Sequence, residues 1–276
     1  MRPSEFTELR YEVDAGVALV TVDRPERHNA WGGRTAVEYR WALHHAHTDP
    51  DVRVVVVTGA GADFSVGADT ALLGRISDDG GRYRAEEAVL PPFPDDAPPA
   101  LRHNHTYPLA ISTPVIAAIN GRCAGVGLVV ATYADLRFAA DDARITTSFA
   151  RLGLPAEYGI GWILPRLVGI AGAAQLLYTS AIVDAAEAFR LGLVQRVVSA
   201  AELVPATLEF ACRLARESSG ESLRMMKRQL FVDAWEDLET AYRRSVEEMN
   251  RAVAHPDMRE GLAALRERRP TDFLHE

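Results

Sequence analysis

The sequence lacks several features that mark whole classes of protein. Only 2 of its 276 residues are cysteine, too few for the disulfide framework of a small secreted domain. Neither Cys123 nor Cys212 belongs to a cluster with metal-ligand spacing, so we expect no metal site. The first residues also lack the apolar core of a signal peptide, and we therefore expect a cytoplasmic protein.

Positive charge and long apolar runs are scarce as well. Lys and Arg number 30 against 38 Asp and Glu, a formal net charge of −8, which argues against a protein that binds nucleic acid. No run approaches the roughly 18 uninterrupted apolar residues of a membrane helix, so we expect no membrane partner. Hydrophobic residues make up 48% of the chain, which is typical of a soluble globular protein.

What the sequence does contain is an alternation of strand-like and helix-like segments. Runs of β-branched and apolar residues predict strands over residues 16–23, 52–58, 114–120 and 136–139. Apolar residues at helical spacing predict helices over residues 34–47 and 126–134. Because strands and helices alternate, right-handed crossovers between parallel strands are expected, and the sequence predicts an α/β fold.

The chain changes character at two places. At the centre of residues 74–108, PPFPDDAPP carries five prolines in nine residues, which excludes a regular helix or a central strand. This irregular insertion is either a functional loop or a disordered one. After residue 200 the pattern predicts helices over 201–217, 222–232, 235–253 and 258–268. We expect an α/β core over residues 1–199 and a C-terminal helical region over 200–276.

Five segments, in this order, resemble those of a known family. They are RPERHNAW at 24–31, GAGADFSVGAD at 59–69, NGRCAGVGLVVATYAD at 120–135, LGLPAEYGIGWILPRLVG at 152–169 and LLYTSAIVDAAEAFRLGLVQRVV at 176–198. Together they resemble the crotonase, or enoyl-CoA hydratase/isomerase, superfamily over nearly the whole chain. The resemblance implies a spiral of repeated ββα units, an acyl-CoA substrate, no cofactor apart from the coenzyme A of that substrate, and a homotrimer or a dimer of trimers.

Two glycine-containing segments carry the binding site that this resemblance implies. In the family, two backbone N–H groups polarise the thioester carbonyl, and matching the motifs assigns these donors to Val66 and Val126. Glycine suits both places because it lets the backbone turn sharply, and the first N–H groups of a helix have no acceptor within the helix. The matching positions for substrate binding are Val66, Gly67, Ala68, Asp69, Arg27 and Ala30. Arg24 and Arg27 are either contacts for phosphate groups or solvated surface arginines, and Asp69 is expected to hold the shape of its loop.

The residues for proton transfer depart from the family pattern. Typical hydratases carry two glutamates, at the positions where this chain has Val129 and Phe149. Glu157, in LPAEYG, matches the position of a catalytic aspartate in the dienoyl-CoA isomerases. We expect its apolar surroundings to raise the pKa of its carboxyl, which suits a group that takes and returns a proton. The alternative is an acid that caps the following helix.

The leading prediction is therefore an enzyme of the enoyl-CoA hydratase/isomerase type. It would stabilise a thioester enolate and hydrate or shift a C=C bond with Glu157 as its single acidic residue. One alternative is a non-catalytic homologue that binds acyl-CoA, which the two missing glutamates favour. Another is a crotonase-type hydrolase, in which His103 or His105 of the insertion activates water. For both histidines the alternative is simple exposure to solvent.

Overall fold

A computed structural model describes residues 1–69, 74, 89–233 and 236–274. Its strands are β1 (Leu9–Asp14), β2 (Val17–Val22), β3 (Val54–Gly59), β4 (Asp63–Ser65), β5 (Val115–Ile119), β6 (Arg122–Ala124), β7 (Leu136–Ala140), β8 (Arg144–Thr146), β9 (Val183–Asp184) and β10 (Arg196–Val198). Its helices are α1 (Gly33–Thr48), α2 (Tyr107–Ala110), α3 (Val126–Thr132), α4 (Ile160–Thr179), α5 (Ala185–Arg190), α6 (Leu203–Glu217), α7 (Gly220–Phe231), α8 (Leu238–Ala254) and α9 (Pro256–Glu267). Residues 75–88 of the predicted insertion and the first residue of the predicted helix 235–253 lie outside the described residues.

From β3 to β8, successive strands along the chain alternate between two sheets. The larger sheet has the order β1-β2-β3-β5-β7-β10 and is parallel except for the β1–β2 pair. The smaller sheet has the order β4-β6-β8-β9 and is parallel except for the β8–β9 pair. In each of the pairs β5–β6 and β7–β8, the first strand joins the larger sheet and the second joins the smaller one. A helix then follows, α3 after β6 and α4 after β8. This confirms the α/β fold and the predicted spiral of ββα units.

Side-chain chemistry explains which elements form the core. β3 and β5 are buried at every position, because they are uniformly apolar or small and have strands on both sides. α1 packs against the larger sheet, with Ala42, Leu43 and Ala46 fully buried. The proline-rich segment lies against the same helix: the guanidinium of Arg40 donates to the carbonyl oxygen of Pro91 and stacks 4.0 Å from the centre of the Phe93 ring.

Helix α4 differs from an ordinary surface helix. It is 20 residues long and, by length and composition alone, apolar enough to cross a membrane. Its backbone nevertheless leaves the helical conformation at Gly169 (φ 73°, ψ 162°), and Pro165 lies within it. The expectation that the chain has no membrane partner stays a prediction.

The C-terminal helices are tied to the larger sheet. α6 contributes Leu203, Ala211 and Ala215 to the same apolar core as the strands. α7 is held by the buried ammonium of Lys227, which lies 2.7 Å from an Asp135 carboxylate oxygen. The same oxygen accepts the Val115 N–H at 2.6 Å, at the start of β5. The predicted domain boundary at residue 199 stays a prediction.

Lys227→Met should be strongly destabilising, because it leaves the carboxylate of Asp135 without its cation in a mostly buried position. Breaking a buried ion pair on one side costs on the order of 3–5 kcal/mol. Urea unfolding followed by circular dichroism measures the loss. The double variant Lys227→Met/Asp135→Asn should recover part of it. A single variant as stable as the wild type would show that this pair does not anchor α7.

Candidate active site

Two backbone turns meet at the centre of the site. Gly67 follows β4 with φ +97°, and Gly125 follows β6 with φ +50°. A Cβ atom placed on Gly67 would lie only 2.9 Å from the carbonyl oxygen of Ala124, and one placed on Gly125 would lie 3.8 Å from the Cα of Gly67. Glycine tolerates the left-handed conformation and leaves room for this close approach of the two chains.

The residue after each of these glycines presents a backbone amide without an acceptor. Within the described part of the chain, neither the Ala68 N–H nor the Val126 N–H donates a hydrogen bond. Val126 is the first residue of α3, so no helical carbonyl oxygen precedes it by one turn. The structure therefore brings two N–H groups with no acceptor among the described residues to adjoining turns, and such donors are what an oxyanion hole is built from.

The prediction that Val66 supplies one of these donors is wrong. Residues 28–31 run parallel to residues 66–69 and pair with them as a short ladder. In this ladder the Val66 N–H donates to the carbonyl oxygen of His28 at 3.2 Å, so it is not free for a substrate. Ala68, which follows the turn at Gly67, takes its place as the candidate donor.

The same ladder brings the other predicted binding positions together. The Asp69 carboxylate lies 3.4 Å from the Arg24 guanidinium and 2.5 Å from that of Arg27, so it holds its loop as the sequence predicted. Arg24 also donates to the carbonyl oxygen of buried Ala30 at 2.6 Å and pairs with Glu8. The Arg24 guanidinium therefore makes its contacts within the protein, and we do not assign it to a phosphate group. The side chain of Arg27 is 52% exposed and stays accessible to a phosphate group.

The two positions that carry glutamate in typical hydratases are part of the apolar core here. Val129 is fully buried on α3, and Phe149 is 3% exposed. Neither side chain can accept or donate a proton. A proton-transfer group at this site must come from another position.

Glu157 begins the turn that leads into α4. The Ile160 N–H donates to its backbone carbonyl oxygen at 2.9 Å, and α4 begins without a side-chain cap. In the described residues the Glu157 carboxylate makes no hydrogen bond or ion pair, so it does not cap the helix. Burial raises the pKa of the Glu157 carboxyl, the direction that the sequence predicted.

A largely apolar cavity of about 380 Å³ opens beside this turn. Both predicted histidines, His103 and His105, line it together with Tyr158. The rings of His105 and Tyr158 are stacked, with 3.9 Å between their centroids. Burial lowers the pKa of His105 to about 4, so its imidazole is neutral at physiological pH. His103 is exposed and His105 half-buried, and both line the cavity beside the turn that follows Glu157.

Three aromatic residues of the cavity were not singled out from the sequence. Tyr133, Tyr158 and Trp162 come from the end of α3, the turn after Glu157 and the first turn of α4. Their sequence signal is weak, because aromatic residues in such segments more often serve only the core. Only the folded arrangement places all three around one cavity.

Comparison with known proteins identifies the family of this chain. A profile of the family described as enoyl-CoA hydratase/isomerase matches residues 12–276. The chain belongs to this family. It is 32% identical over 271 residues to a crotonyl-CoA hydratase of Syntrophomonas wolfei subsp. wolfei, covering 98% of both chains. Its fold is similar to that of an enoyl-CoA hydratase from Polaromonas sp. JS666, with a TM-score of 0.82, 26% identity and coverage of 96% of this chain and 98% of that one.

In this member of the enoyl-CoA hydratase/isomerase family, Glu157→Gln should raise stability at neutral pH. Desolvation penalises only the charged carboxyl, so the cost is absent below the ordinary glutamate pKa and fully present above the raised one. The stability difference between variant and wild type should therefore shrink as the pH falls from about 7 to about 4. Urea midpoints at the two pH values measure it.

Glu209→Gln on α6, where the side chain is exposed, gives the effect of the amide substitution alone. If Glu157→Gln were less stable than the wild type at neutral pH, the carboxylate would be stabilising and the assignment of a desolvated group would be incorrect.

Proposed function

We propose that this chain is an acyl-CoA hydratase or isomerase whose oxyanion hole is formed by the Ala68 and Val126 amides. The observation that carries the proposal is the pair of unsatisfied N–H groups at the Gly67–Gly125 contact. Two such donors stabilise negative charge as it develops on a thioester oxygen, and each is worth on the order of 3 kcal/mol in the transition state. Family membership and the likeness to a crotonyl-CoA hydratase support acyl-CoA as the substrate.

Glu157 is the proposed acid/base in this reaction. In an isomerisation, its carboxylate removes a proton from the carbon between the carbonyl group and the C=C bond of a 3-enoyl thioester. The electron pair moves through the C=C system onto the thioester oxygen, where the two amides stabilise the resulting dienolate. The protonated Glu157 then returns the proton two carbons further along the chain, so that no atom is gained or lost. The raised pKa of Glu157 suits both halves of this transfer.

Because Val129 and Phe149 cannot transfer protons, Glu157 must carry out every proton transfer of the proposed reaction by itself. A proton shift requires one group that moves between two carbons. Hydration requires that Glu157 deprotonate a water as it attacks C3 and then return a proton to C2. Both reactions pass through an enolate of the thioester, which the two amides would stabilise. The proposal therefore covers both reactions. Because the two reactions consume different enoyl thioesters, turnover with each substrate distinguishes them.

Val126→Pro should lower kcat about 10²–10³-fold, because proline removes one oxyanion donor. Proline is well tolerated at the first position of a helix, where its missing N–H has no helical acceptor. Val126→Ala is the matched control, since it shortens the side chain and keeps the N–H. The assay follows the enone absorbance of crotonyl-CoA and the conversion of a 3-enoyl-CoA, with Glu157→Gln measured alongside.

Equal activity of Val126→Pro and Val126→Ala would remove this amide from the mechanism. Acyl-CoA binding by calorimetry without turnover of any enoyl-CoA would instead favour the non-catalytic homologue. Release of free coenzyme A, lost on substitution of His105, would favour the hydrolase.

The cavity beside Glu157 is the proposed site of the acyl group. Its volume of about 380 Å³ exceeds the roughly 150 Å³ of a crotonyl group, taking about 30 Å³ per non-hydrogen atom as in liquid water. Its apolar and aromatic lining favours a longer or bulkier hydrocarbon, because such a group buries more surface there.

Ala100→Trp should reduce kcat/KM for a ten-carbon enoyl-CoA much more than for crotonyl-CoA. Ala100 lines the cavity, so an indole ring at this position occupies space that only the longer substrate needs. Ala201→Trp, at an exposed position remote in sequence, controls for an added surface tryptophan. An equal loss with both substrates would place the acyl group elsewhere.

We also propose a homotrimer or a dimer of trimers, located in the cytoplasm and needing no cofactor beyond the coenzyme A of its substrate. Large apolar side chains are exposed on α4 and at the start of α8, among them Ile170 at 81%, Tyr178 at 79% and Leu238 at 83%, and their burial in an interface between subunits would favour self-association. Both cysteines are free thiols, which is compatible with a reducing compartment. Light scattering on the purified protein determines the number of subunits.

A further inference from the structure

One buried hydroxyl connects the two halves of the site. Tyr133 directly follows α3 and is 2% exposed. Its hydroxyl donates to the carbonyl oxygen of Tyr158 at 2.7 Å, in the turn that immediately follows Glu157. Burial raises the pKa of Tyr133 to about 12, so this phenol stays protonated and able to donate at any working pH.

The turn that receives this hydrogen bond has an unusual backbone. Tyr158 has φ +50° and the next residue, Gly159, has φ +79°. A bulky residue in the left-handed region costs on the order of 1–3 kcal/mol and persists only where its surroundings hold it. A Cβ atom on Gly159 would lie 2.5 Å from the Tyr133 hydroxyl oxygen. The hydroxyl thus fits closely against these two residues and satisfies a carbonyl group that the turn directs toward it.

The same tyrosine is continuous with the helix that presents the oxyanion donor. α3 begins at Val126, and the Tyr133 N–H donates to the carbonyl oxygen of Val129 at 3.3 Å, in the last turn of this helix. One short rigid element therefore carries the proposed oxyanion amide at one end and the contact to the Glu157 turn at the other.

We propose that Tyr133 is a positioning residue, whose hydroxyl holds the left-handed turn at Tyr158 and Gly159 and thereby sets the placement of the Glu157 carboxyl relative to the oxyanion hole. The inference rests on the proposed acid/base role of Glu157. It deepens that role by identifying what fixes the acid, since a displacement of about 1 Å in a reacting group can cost 10²-fold in rate.

Tyr133→Phe tests the proposal by removing the hydroxyl and keeping the ring. We expect kcat for an enoyl-CoA substrate to fall about tenfold to hundredfold, while KM changes by less than about twofold, because the ring that lines the cavity is kept. Tyr107→Phe is the matched control. Its hydroxyl is also on a fully buried side chain and donates to a carbonyl oxygen, that of Pro92, at 3.2 Å. The same hydroxyl lies 3.2 Å from the Nδ1 atom of His44, and none of its hydrogen-bond partners among the described residues belongs to the Glu157 turn. Both variants should lose similar thermal stability, and only Tyr133→Phe should lose kcat.

A double-mutant cycle separates positioning from a general structural effect. If Tyr133 acts through Glu157, adding Tyr133→Phe to Glu157→Gln should change the residual kcat by less than about twofold, because the group that it positions is already gone. Independent, multiplying losses in the double variant would overturn the proposal, as would a wild-type kcat in Tyr133→Phe. Full activity of Glu157→Gln would instead refute the proposed acid/base role itself.

Gly159→Ala approaches the same contact from the other partner and serves if Tyr133→Phe folds poorly. The added methyl group conflicts with the Tyr133 hydroxyl, so this variant should also lower kcat with little change in KM. Alanine at residue 159 also strains the backbone, because φ is +79° there. Since both substitutions act on one contact, Gly159→Ala/Tyr133→Phe should lose less kcat than the product of the two single losses. A Gly159→Ala variant with wild-type kcat would count against the proposal.

Discussion

The close approach of Gly67 and Gly125 is the constraint on which the site depends. Their contact is between backbones, with the Ala124 carbonyl group against the turn at Gly67. The neighbouring strands β4 and β6 are paired in the smaller sheet, and Gly127 lets α3 begin directly against Ser65, whose carbonyl oxygen would lie 2.5 Å from a Cβ atom at residue 127. The position of the two free amides is therefore set by the sheet and by three glycines. Side chains around the site can vary without moving the donors.

Much of the fold could be predicted because its central strands are chemically distinct. β3 and β5 are runs of apolar residues, and the predicted core elements agree with the observed ones to within about two residues at each end. The sequence pattern did not predict β1, β4, β6, β8 or β9, and β10 was expected only from the resemblance of residues 176–198 to the family. β1 is an edge strand exposed along most of its length, and strands of three residues are too short to show a period. The assignment of Val66 failed for a related reason: the direction of its N–H depends on pairing with residues 28–31, which local sequence does not reveal.

The residues on which the proposed proton transfer depends were partly predicted from the sequence. Val129 and Phe149 showed that two carboxylates were absent, and Glu157 stood out as the remaining acid near a matching motif. Burial raises the pKa of the Glu157 carboxyl, which is the direction that the sequence predicted. The role inferred for Tyr133 could not be predicted, because 25 residues separate it from Tyr158 and a tyrosine after a buried helix ordinarily contributes only packing. A hydrogen bond of this kind becomes visible only when tertiary structure places donor and acceptor together.

The alternation of strands between two sheets affects which parts of the sequence can change length during evolution. β4 and β5 follow one another in the chain but belong to different sheets, and the long insertion joins them. Because the ends of this segment are already held by paired strands, doubling its length would cost only about 0.6 kcal/mol in loop-closure entropy. Its residues 100–109 supply part of the cavity wall. Insertions and deletions here could therefore remodel the proposed acyl pocket at little thermodynamic cost, while the Ala68 and Val126 amides keep the positions that the two sheets give them.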